Sequence, residues 1–407
     1  MDINGGAARA AYRLHQGLNK IGVDNLMLVQ KKISNDHKVI GPETIFQKVM
    51  SRIRPIMDKV PVKKYKNKTE SFFSPAWVPF SGIEKNINTI NPDIIHLHWV
   101  ANGMIRIEEL SGIRKPIIWT FHDSWPFTGG CHISFDCKKY TESCNYCSAL
   151  GSNKKNDLSY KIWKRKKKSW KNLDLTIVTP SSWLGECAKK SSLFYKTPVR
   201  VIPNGIDLNR FKPIDKYVAR DILCLPKDKK IILFGALRAF SDNQKGFHLL
   251  KEALKMFSFK ENKNIELVIF GSSKPRDEED LGFKTHYLGR LDNDISLSVA
   301  YAAADVFIIP SIQENLPYTV MESLSCGVPV VAFNIGGIPD MIEHQKNGYL
   351  VKPFDIKDLV YGIKWVLEDI IRWKQLSKNA REKVVQEFDI VKVTKKYEDL
   401  YKDVLES

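Results

Sequence analysis

"PSIQENLPYTVMESLSCGVPVVAF", from Pro310 to Phe333, decides the fold of this chain. It sits inside a regular alternation. "DVFIIP" at 305–310 reads as a buried strand, "YTVMESLSC" as a helix and "VPVVAF" at 328–333 as a second buried strand. Continuous apolar strands separated by helices indicate a parallel sheet covered on both faces. Two carboxylates, Glu314 and Glu322, interrupt this apolar stretch with seven residues between them. Glu314 falls in the loop after the first strand. Pro317 has the fixed φ of a first helical residue, which predicts unpaired amides at Tyr318, Thr319 and Val320. Such a helix N-terminus suits an anion, and a diphosphate in particular. Glu322, a turn and a half later, is placed to accept hydrogen bonds from a ribose, as acidic residues do in nucleotide folds. Asn315 and Leu316, between Glu314 and the helix, are counted with this anion-binding site.

The alternation extends outward. In the second half, "KKIILFGAL" at 229–237 and "IELVIFG" at 265–271 read as strands, with helical spacing in "KGFHLLKEALKMF" at 245–257 and "LSVAYAAA" at 297–304. In the first half, "DIIHLHW" at 93–99, "PIIWTFHD" at 116–123 and "LTIVTPS" at 175–181 read as parallel strands. The Pro/Gly/Asn-rich crossing "VRVIPNGIDLNRFKP" at 199–213 marks the domain boundary. The expected organisation is a first Rossmann-like domain over 1–205, a second over 206–385, and a C-terminal helix over 386–407 that packs back on the first domain. The opening is unusual. "NGGAARAAYRLHQGL" at 4–18 reads as a Gly-rich turn running into an amphipathic helix, yet only Met1, Asp2 and Ile3 precede it. A strand of ~5–6 residues has no room there. The first strand of a doubly wound domain is therefore expected to lie in coding sequence upstream.

Charge separates the two halves. The formal net charge is +17; residues 1–200 carry 33 Lys/Arg against 16 Asp/Glu, whereas residues 201–407 carry 30 of each. Much of the excess lies in "RIRPIMDKVPVKKYKNK" at 52–68 and "KKNDLSYKIWKRKKKSWKN" at 154–172. A basic half beside a neutral half suggests that one side faces a polyanionic surface. "YKIWKRKKKSW", which mixes Trp163 and Trp170 with basic residues, has the composition of an interfacial helix on an anionic bilayer. No apolar run approaches the ~18 residues of a membrane span, and no signal pattern opens the chain, so a cytoplasmic protein, peripheral on the inner face of the membrane, is expected.

Four of the seven cysteines fall in "GGCHISFDCKKYTESCNYC": Cys131, Cys137, Cys144 and Cys147. Four thiols within 17 residues, closing in a C-x2-C, fit a structural zinc site, with His132 as an alternative ligand. The spacing is not a standard zinc pattern, and a packed thiol patch is the competing reading. Cys187, Cys224 and Cys326 read as ordinary buried thiols.

Taken together, the chain resembles a retaining glycosyltransferase of the two-domain GT-B class, the family-4 type with a Glu-x7-Glu motif. The resemblance covers nearly the whole chain and is strongest over 289–350, where strand, Pro-Ser, Glu314, helix, Glu322, Gly-Val-Pro-Val-Val and Gly-Gly-Ile-Pro-Asp follow in order. It implies two Rossmann-like domains facing across a cleft, and transfer of a hexose from a UDP- or GDP-linked sugar to a hydroxyl with retention. It implies a diphosphate-binding lysine at Lys245, in the pair Lys245-Gly246. The arginine that usually follows the glycine of the preceding strand, here Gly235, is replaced by Ala236, which leaves Arg238 as the candidate. Gly5 and Gly6 match the N-terminal loop near the donor phosphates, and His122, at the end of "PIIWTFHD", matches a histidine near the donor sugar. Glu314, His122, Arg238 and Lys245 are thus the expected catalytic group. The sequence carries no convincing Asp-x-Asp metal motif at a strand end, which agrees with metal-independent chemistry. "TFHDSWPFTGGCH" resembles a subgroup associated with bacterial exopolysaccharides such as colanic acid, and a lipid-linked glycan acceptor follows from that likeness.

Two other classes compete with the transferase: a different GT-B-shaped sugar-nucleotide enzyme, such as an epimerase or phosphorylase, and a nucleic-acid binder suggested by the charge. A phosphorylase needs a pyridoxal-phosphate lysine site, and a base reader usually carries a recognisable module; the sequence points to neither.

Overall fold

The computed structural model describes residues 1–235, 242–257, 263–274 and 280–406. The chain forms two compact units, Met1–Pro203 with Thr394–Ser407, and Asn204–Val393.

In the first unit, α1 (Gly6–Lys20) follows directly on the first residues. Asp2 is buried, and its carboxylate accepts the amides of Ile33 at 3.0 Å and Ser34 at 2.8 Å, which ties down the chain's beginning. Two short parallel strands, β1 (Met27–Leu28) and β2 (Val39–Ile40), pair with each other. Helix α2 (Ile45–Asp58) opens on a capping box in which Thr44 and Gln47 satisfy each other's amides. After α3 (Ile83–Ile90) come β3 (Ile95–Leu97), β4 (Ile117–Thr120), α4 (Leu158–Ser169), β5 (Leu175–Thr179), α5 (Ser182–Lys190) and β6 (Val199–Val201). Strands β3 to β6 form a parallel sheet in sequence order, with Ile95 opposite Ile117, Ile117 opposite Leu175 and Ile177 opposite Val199. Its core is aromatic: Trp119 meets Trp170 edge-on at 5.2 Å, beside Phe121, Trp125 and Phe127.

Helix α4 differs from the sequence expectation. Trp163 and Trp170 are buried in this core instead of facing outward. Their indole N–H groups donate to Ser192 Oγ at 3.1 Å and to the Ile107 carbonyl at 2.9 Å. Lys166, on the same side, is wholly buried; its ammonium donates to the Trp125 and Thr128 carbonyls and lies 3.9 Å from the centre of the Trp125 ring. The apolar residues of this basic helix are thus consumed by packing, and only its lysine-rich side reaches water.

The second unit contains α6 (Lys216–Ile222), β7 (Lys230–Gly235), α7 (Phe247–Lys255), β8 (Ile265–Phe270), β9 (Thr285–Gly289), α8 (Asp294–Ala302), β10 (Val306–Ile309), α9 (Tyr318–Ser325), β11 (Val330–Phe333), β12 (Gly348–Val351), α10 (Ile356–Glu368) and α11 (Ile370–Glu387). Among the described residues its strands form one parallel sheet in the order β12-β11-β10-β7-β8-β9. Strand order reverses between β7 and β10, so this is the switch point beyond whose carboxyl ends open α/β sheets bind ligands. The opposite end of β10 is anchored by Asp305, whose carboxylate accepts Arg220, Lys216 and the Ile231 amide, each at 2.7 Å. The last helix, α12 (Ile390–Glu406), begins in the second unit, where the Ile390 amide donates to the Ile206 carbonyl at 3.0 Å. Its later turns belong to the first unit, where Tyr401 meets His96.

Candidate active site

At the switch point, β7 ends on Gly235, where any Cβ would lie 2.1 Å from the Phe270 ring. Residues 243–245 make a 3-10 turn, and Gly246 follows with φ +68. A Cβ on Gly246 would lie 1.8 Å from the Pro310 carbonyl oxygen, so only glycine lets these two loops touch. The Ile312 amide donates to the Gln244 carbonyl at 2.9 Å, and Gln244 Nε2 donates to the Gln313 carbonyl at 2.9 Å. This zipper sets Lys245 Nζ 2.7 Å from Glu314 Oε1. Burial alone would lower the Lys245 pKa, but the Glu314 carboxylate outweighs it and the lysine is raised above its ordinary value.

The backbone of Glu314 is clamped from the other side. Gly336 has φ +52, and a Cβ there would lie 1.9 Å from the Glu314 carbonyl oxygen. The neighbouring Gly337 amide donates to that same oxygen at 3.1 Å. Helix α9 then starts at Tyr318 with Pro317 as its N-cap, one residue later than the sequence-based expectation of Pro317 as the first helical residue. The Pro317 carbonyl accepts the Val320 amide at 3.2 Å, so Val320 is not one of the open donors. Tyr318 and Thr319 precede it in the first turn. The loop is pinned by Tyr318, whose hydroxyl donates to the Gly205 carbonyl at 3.3 Å, and by Asn204 Nδ2 on the Leu316 carbonyl at 3.5 Å. Glu322 is only 1% exposed, and its Oε2 accepts the Tyr301 hydroxyl at 3.3 Å.

One end of one sheet therefore gathers Gly235, Lys245, Glu314, Asn315, Leu316, Pro317, Tyr318, Thr319 and Glu322. Arg238 lies outside the described residues. The Gly336-Gly337 clamp and Tyr301 were missed in the sequence, although the Gly-Gly-Ile-Pro-Asp segment was a signal for the first. A positive charge beside an acidic loop and a helix N-terminus can hold a diphosphate and stabilise the charge that develops on it as a leaving group.

In the first unit, Gly5 caps α1 with φ 98, and Gly6 opens the helix; a Cβ at either would meet open space. His122 stands just past β4 and shares a proton with its neighbour strand: His122 Nε2 and His98 Nδ1 are 2.9 Å apart, with the rings stacked at 22°. His96, one alternation back on β3, bonds Tyr401 at 2.7 Å and Thr120 at 2.8 Å. Burial lowers all three imidazoles, His122 to about 4 and His96 to about 3, so the network is neutral near pH 7. His98 is thus in direct contact with the candidate His122.

Beside it, Asp123 Oδ2 accepts His132 Nδ1 at 2.7 Å, and His132 Nε2 meets Ser74 Oγ at 2.9 Å. The order Ser-His-Asp is that of a hydrolase relay. Ser74, however, is 1% exposed, and Trp125 Nε1 covers its carbonyl at 2.8 Å. The relay locks the 123–132 loop and presents no nucleophile.

The four clustered cysteines are free thiols. Burial raises the pKa of Cys131, Cys144 and Cys147, and their mutual proximity adds to it, while Cys144 Sγ also accepts the Gly129 amide at 3.0 Å. Among the described residues no group of three or more His, Cys, Asp or Glu side chains is arranged to hold a metal ion. Cys224 is exposed and Cys187 half-buried, which leaves Cys326 as the buried one of the three outside the cluster.

The description "Glycosyltransferase Family 4" matches residues 4–210. The chain belongs to this family. "Glycosyl transferases group 1" matches residues 216–383, which contain the switch-point site. An uncharacterized glycosyltransferase of Methanocaldococcus jannaschii is 27% identical over 83% of this chain and 89% of its own. The Escherichia coli UDP-Gal:alpha-D-GlcNAc-diphosphoundecaprenol alpha-1,3-galactosyltransferase is 30% identical over 51% of this chain and 54% of its own, so the match spans about half of that relative. Among solved structures, sucrose-phosphate synthase from Thermosynechococcus elongatus superposes with a TM-score of 0.70 at 20% identity, over 98% of this chain and 94% of its own. Anabaena HepE in complex with UDP and glucose superposes with a TM-score of 0.65 at 17% identity, over 99% and 97%. The family-4 glycosyltransferase is thus an enzyme of GT-B fold that transfers sugar from a nucleotide sugar.

Proposed function

We propose that this glycosyltransferase moves a hexose from a UDP-linked sugar to a hydroxyl of a lipid-linked glycan, with retention, during assembly of a surface polysaccharide on the inner face of the membrane. The observation that carries the reading is the Lys245–Glu314 pair at 2.7 Å, set beside the start of α9 at the switch point. The diphosphate takes the Lys245 ammonium and the first-turn amides of α9. The ribose lies toward Glu322 and the hexose toward Glu314. Departure of the diphosphate is favoured because those donors are fixed before the reaction, so little reorganisation is needed. Metal-independent transfer follows from this donor set, with Arg238 as a further candidate cation. In the first unit His122, held neutral against His98, is the candidate residue for the acceptor hydroxyl.

The choice of UDP and of a lipid-linked acceptor rests on the relatives. The E. coli relative is named for UDP-Gal and a diphosphoundecaprenol acceptor, and HepE was crystallised with UDP and glucose. The excess charge of the first half supports an anionic membrane surface as partner. A panel of UDP- and GDP-sugars, scored for release of free nucleotide with a polyprenyl-diphosphate glycan present, tests the reading. Release from no sugar nucleotide overturns it. Release from GDP-sugars alone overturns the choice of base.

A further inference from the structure

Helix α2 is built inside out. At the ~100° per residue that 3.6 residues per turn implies, Ile45, Phe46, Val49, Ile53 and Ile56 fall in one stripe about 100° wide. A stripe of this width normally faces a core. Here it faces solvent: Ile45 is 83% exposed, Phe46 74% and Ile56 61%, and Val49 and Ile53 are exposed as well. The opposite side carries Arg54 and Asp58, and both are buried. The Arg54 guanidinium donates to four backbone carbonyls, those of Gly103 and Pro79 at 2.7 Å, Val78 at 3.0 Å and Phe80 at 3.2 Å. This polar anchor fixes the helix about its axis, so the apolar stripe cannot turn inward. Phe80, whose carbonyl Arg54 holds, is itself exposed.

The charges around the stripe say what covers it. Lys48 and Arg52 run along one flank of the stripe, and Lys59 follows at the C-cap. Lys63, Lys64, Lys66 and Lys68 continue the exposed basic run. Asp58 is the one acidic residue between 45 and 68, and it is buried. A second copy of this chain would set this cationic rim against its own like. An acidic protein would need a shaped hydrophobic pocket to take five aliphatic and aromatic side chains on one helix face. An anionic bilayer meets both demands, because its headgroups take the cations and its acyl boundary takes the stripe.

We propose that the outward face of α2 is the surface on which this protein docks to an anionic lipid bilayer. The inference rests on the membrane-linked acceptor proposed above. It moves the docking surface from α4, whose tryptophans are in the core, to α2. The test uses the full chain, with sedimentation on vesicles of phosphatidylglycerol in phosphatidylcholine and on phosphatidylcholine alone. Wild-type protein binds the anionic vesicles, and the binding weakens with salt. Phe46→Ser/Val49→Ser/Ile53→Ser weakens it by about tenfold or more, since each side chain loses its burial in lipid. Lys48→Gln/Arg52→Gln/Lys59→Gln weakens it too and flattens its salt dependence. The substituted side chains are exposed, so melting temperature and nucleotide release from sugar nucleotide with a soluble acceptor stay at wild-type values; Ile45→Glu, in the first turn, is a single-site check. Equal binding by wild type and the apolar triple variant overturns the proposal, as does equal binding to neutral vesicles or no binding at all. Wild-type self-association that the apolar variant abolishes, without vesicle binding, would make the face a contact between copies and overturn it too. Vesicle binding without nucleotide release from any sugar nucleotide would sink the transfer reading and leave the docking surface standing.

Discussion

Lys245 Nζ donates to Glu314 Oε1 at 2.7 Å, and each of the two charges is partly withdrawn from water. Each therefore depends on the other when no ligand is bound, and an arriving diphosphate must compete for the lysine. Glu314→Gln releases that ammonium. Nucleoside-diphosphate affinity is expected to hold or rise, while turnover falls. Lys245→Ala removes the cation itself, so affinity and turnover both fall. A hydrogen bond to a charged group is worth ~1.5–3 kcal/mol, or roughly 10- to 150-fold. Calorimetry with UDP, alongside turnover, separates the two variants. A Glu314→Gln enzyme that turns over normally would remove Glu314 from the site.

Gly336→Ala should damage catalysis without touching any charged side chain. Its φ of +52 disfavours a Cβ, and that Cβ would lie 1.9 Å from the Glu314 carbonyl oxygen. The strain of ~1–3 kcal/mol is relieved by displacing the Glu314 loop, which also carries the Gly337 hydrogen bond. Turnover should fall at least about tenfold, because reacting groups tolerate little misplacement. Turnover close to wild type would show that the loop has slack that its contacts do not suggest.

Much of the second unit was legible because its strands are buried on both faces and read as unbroken apolar runs. "IELVIFG" and "DVFIIP" became β8 and β10 almost residue for residue. The Lys245–Glu314 contact was not, since 69 residues separate the partners and only the adjacency of β7 and β10 brings them together. Helix α4 misled for a physical reason. Its Lys/Arg content implies an interfacial helix, but composition does not say which side of a helix a tryptophan occupies. Lys166 went the other way and was buried among carbonyls and indoles. The inverted polarity of α2 was invisible for the same reason. Its periodicity shows an apolar stripe, and only the Arg54 contacts show that the stripe faces out.

Chelation tests the donor set proposed for the leaving diphosphate. If Lys245 and the amides of α9 carry that charge, excess EDTA should leave the rate of nucleotide release unchanged, and added Mg2+ should not raise it. A loss that Mg2+ restores would place a divalent cation in the reaction and reduce Lys245 to an accessory role.

Acid should weaken the first unit through its strand-end histidines. His96, His98 and His122 are held below their ordinary pKa of 6.5, His96 to about 3 and His122 to about 4, chiefly because burial penalises the imidazolium. Asp123 offsets part of this at His122. The unfolded chain takes up these protons near pH 6.5, and the folded chain does so only near pH 4 or below. Between those limits the unfolded state binds more protons, so stability is complete above pH 6.5 and falls as pH falls. A fully shifted imidazole contributes about 1.4 kcal/mol per pH unit; these rings keep some contact with solvent, so roughly half of that per ring is expected. From pH 7 to pH 5 the melting temperature should drop by several degrees, at about 2–4 °C per kcal/mol for units of this size. Tryptophan fluorescence is the suitable readout, because seven of the nine tryptophans precede residue 204. His98→Gln removes one titrating ring and keeps a hydrogen-bonding side chain against His122, so its melting temperature should depend less on pH. A wild-type curve that is flat from pH 7 to pH 5, or a His98→Gln variant with the wild-type slope, would mean that these histidines take up protons in the folded protein as freely as in the unfolded chain.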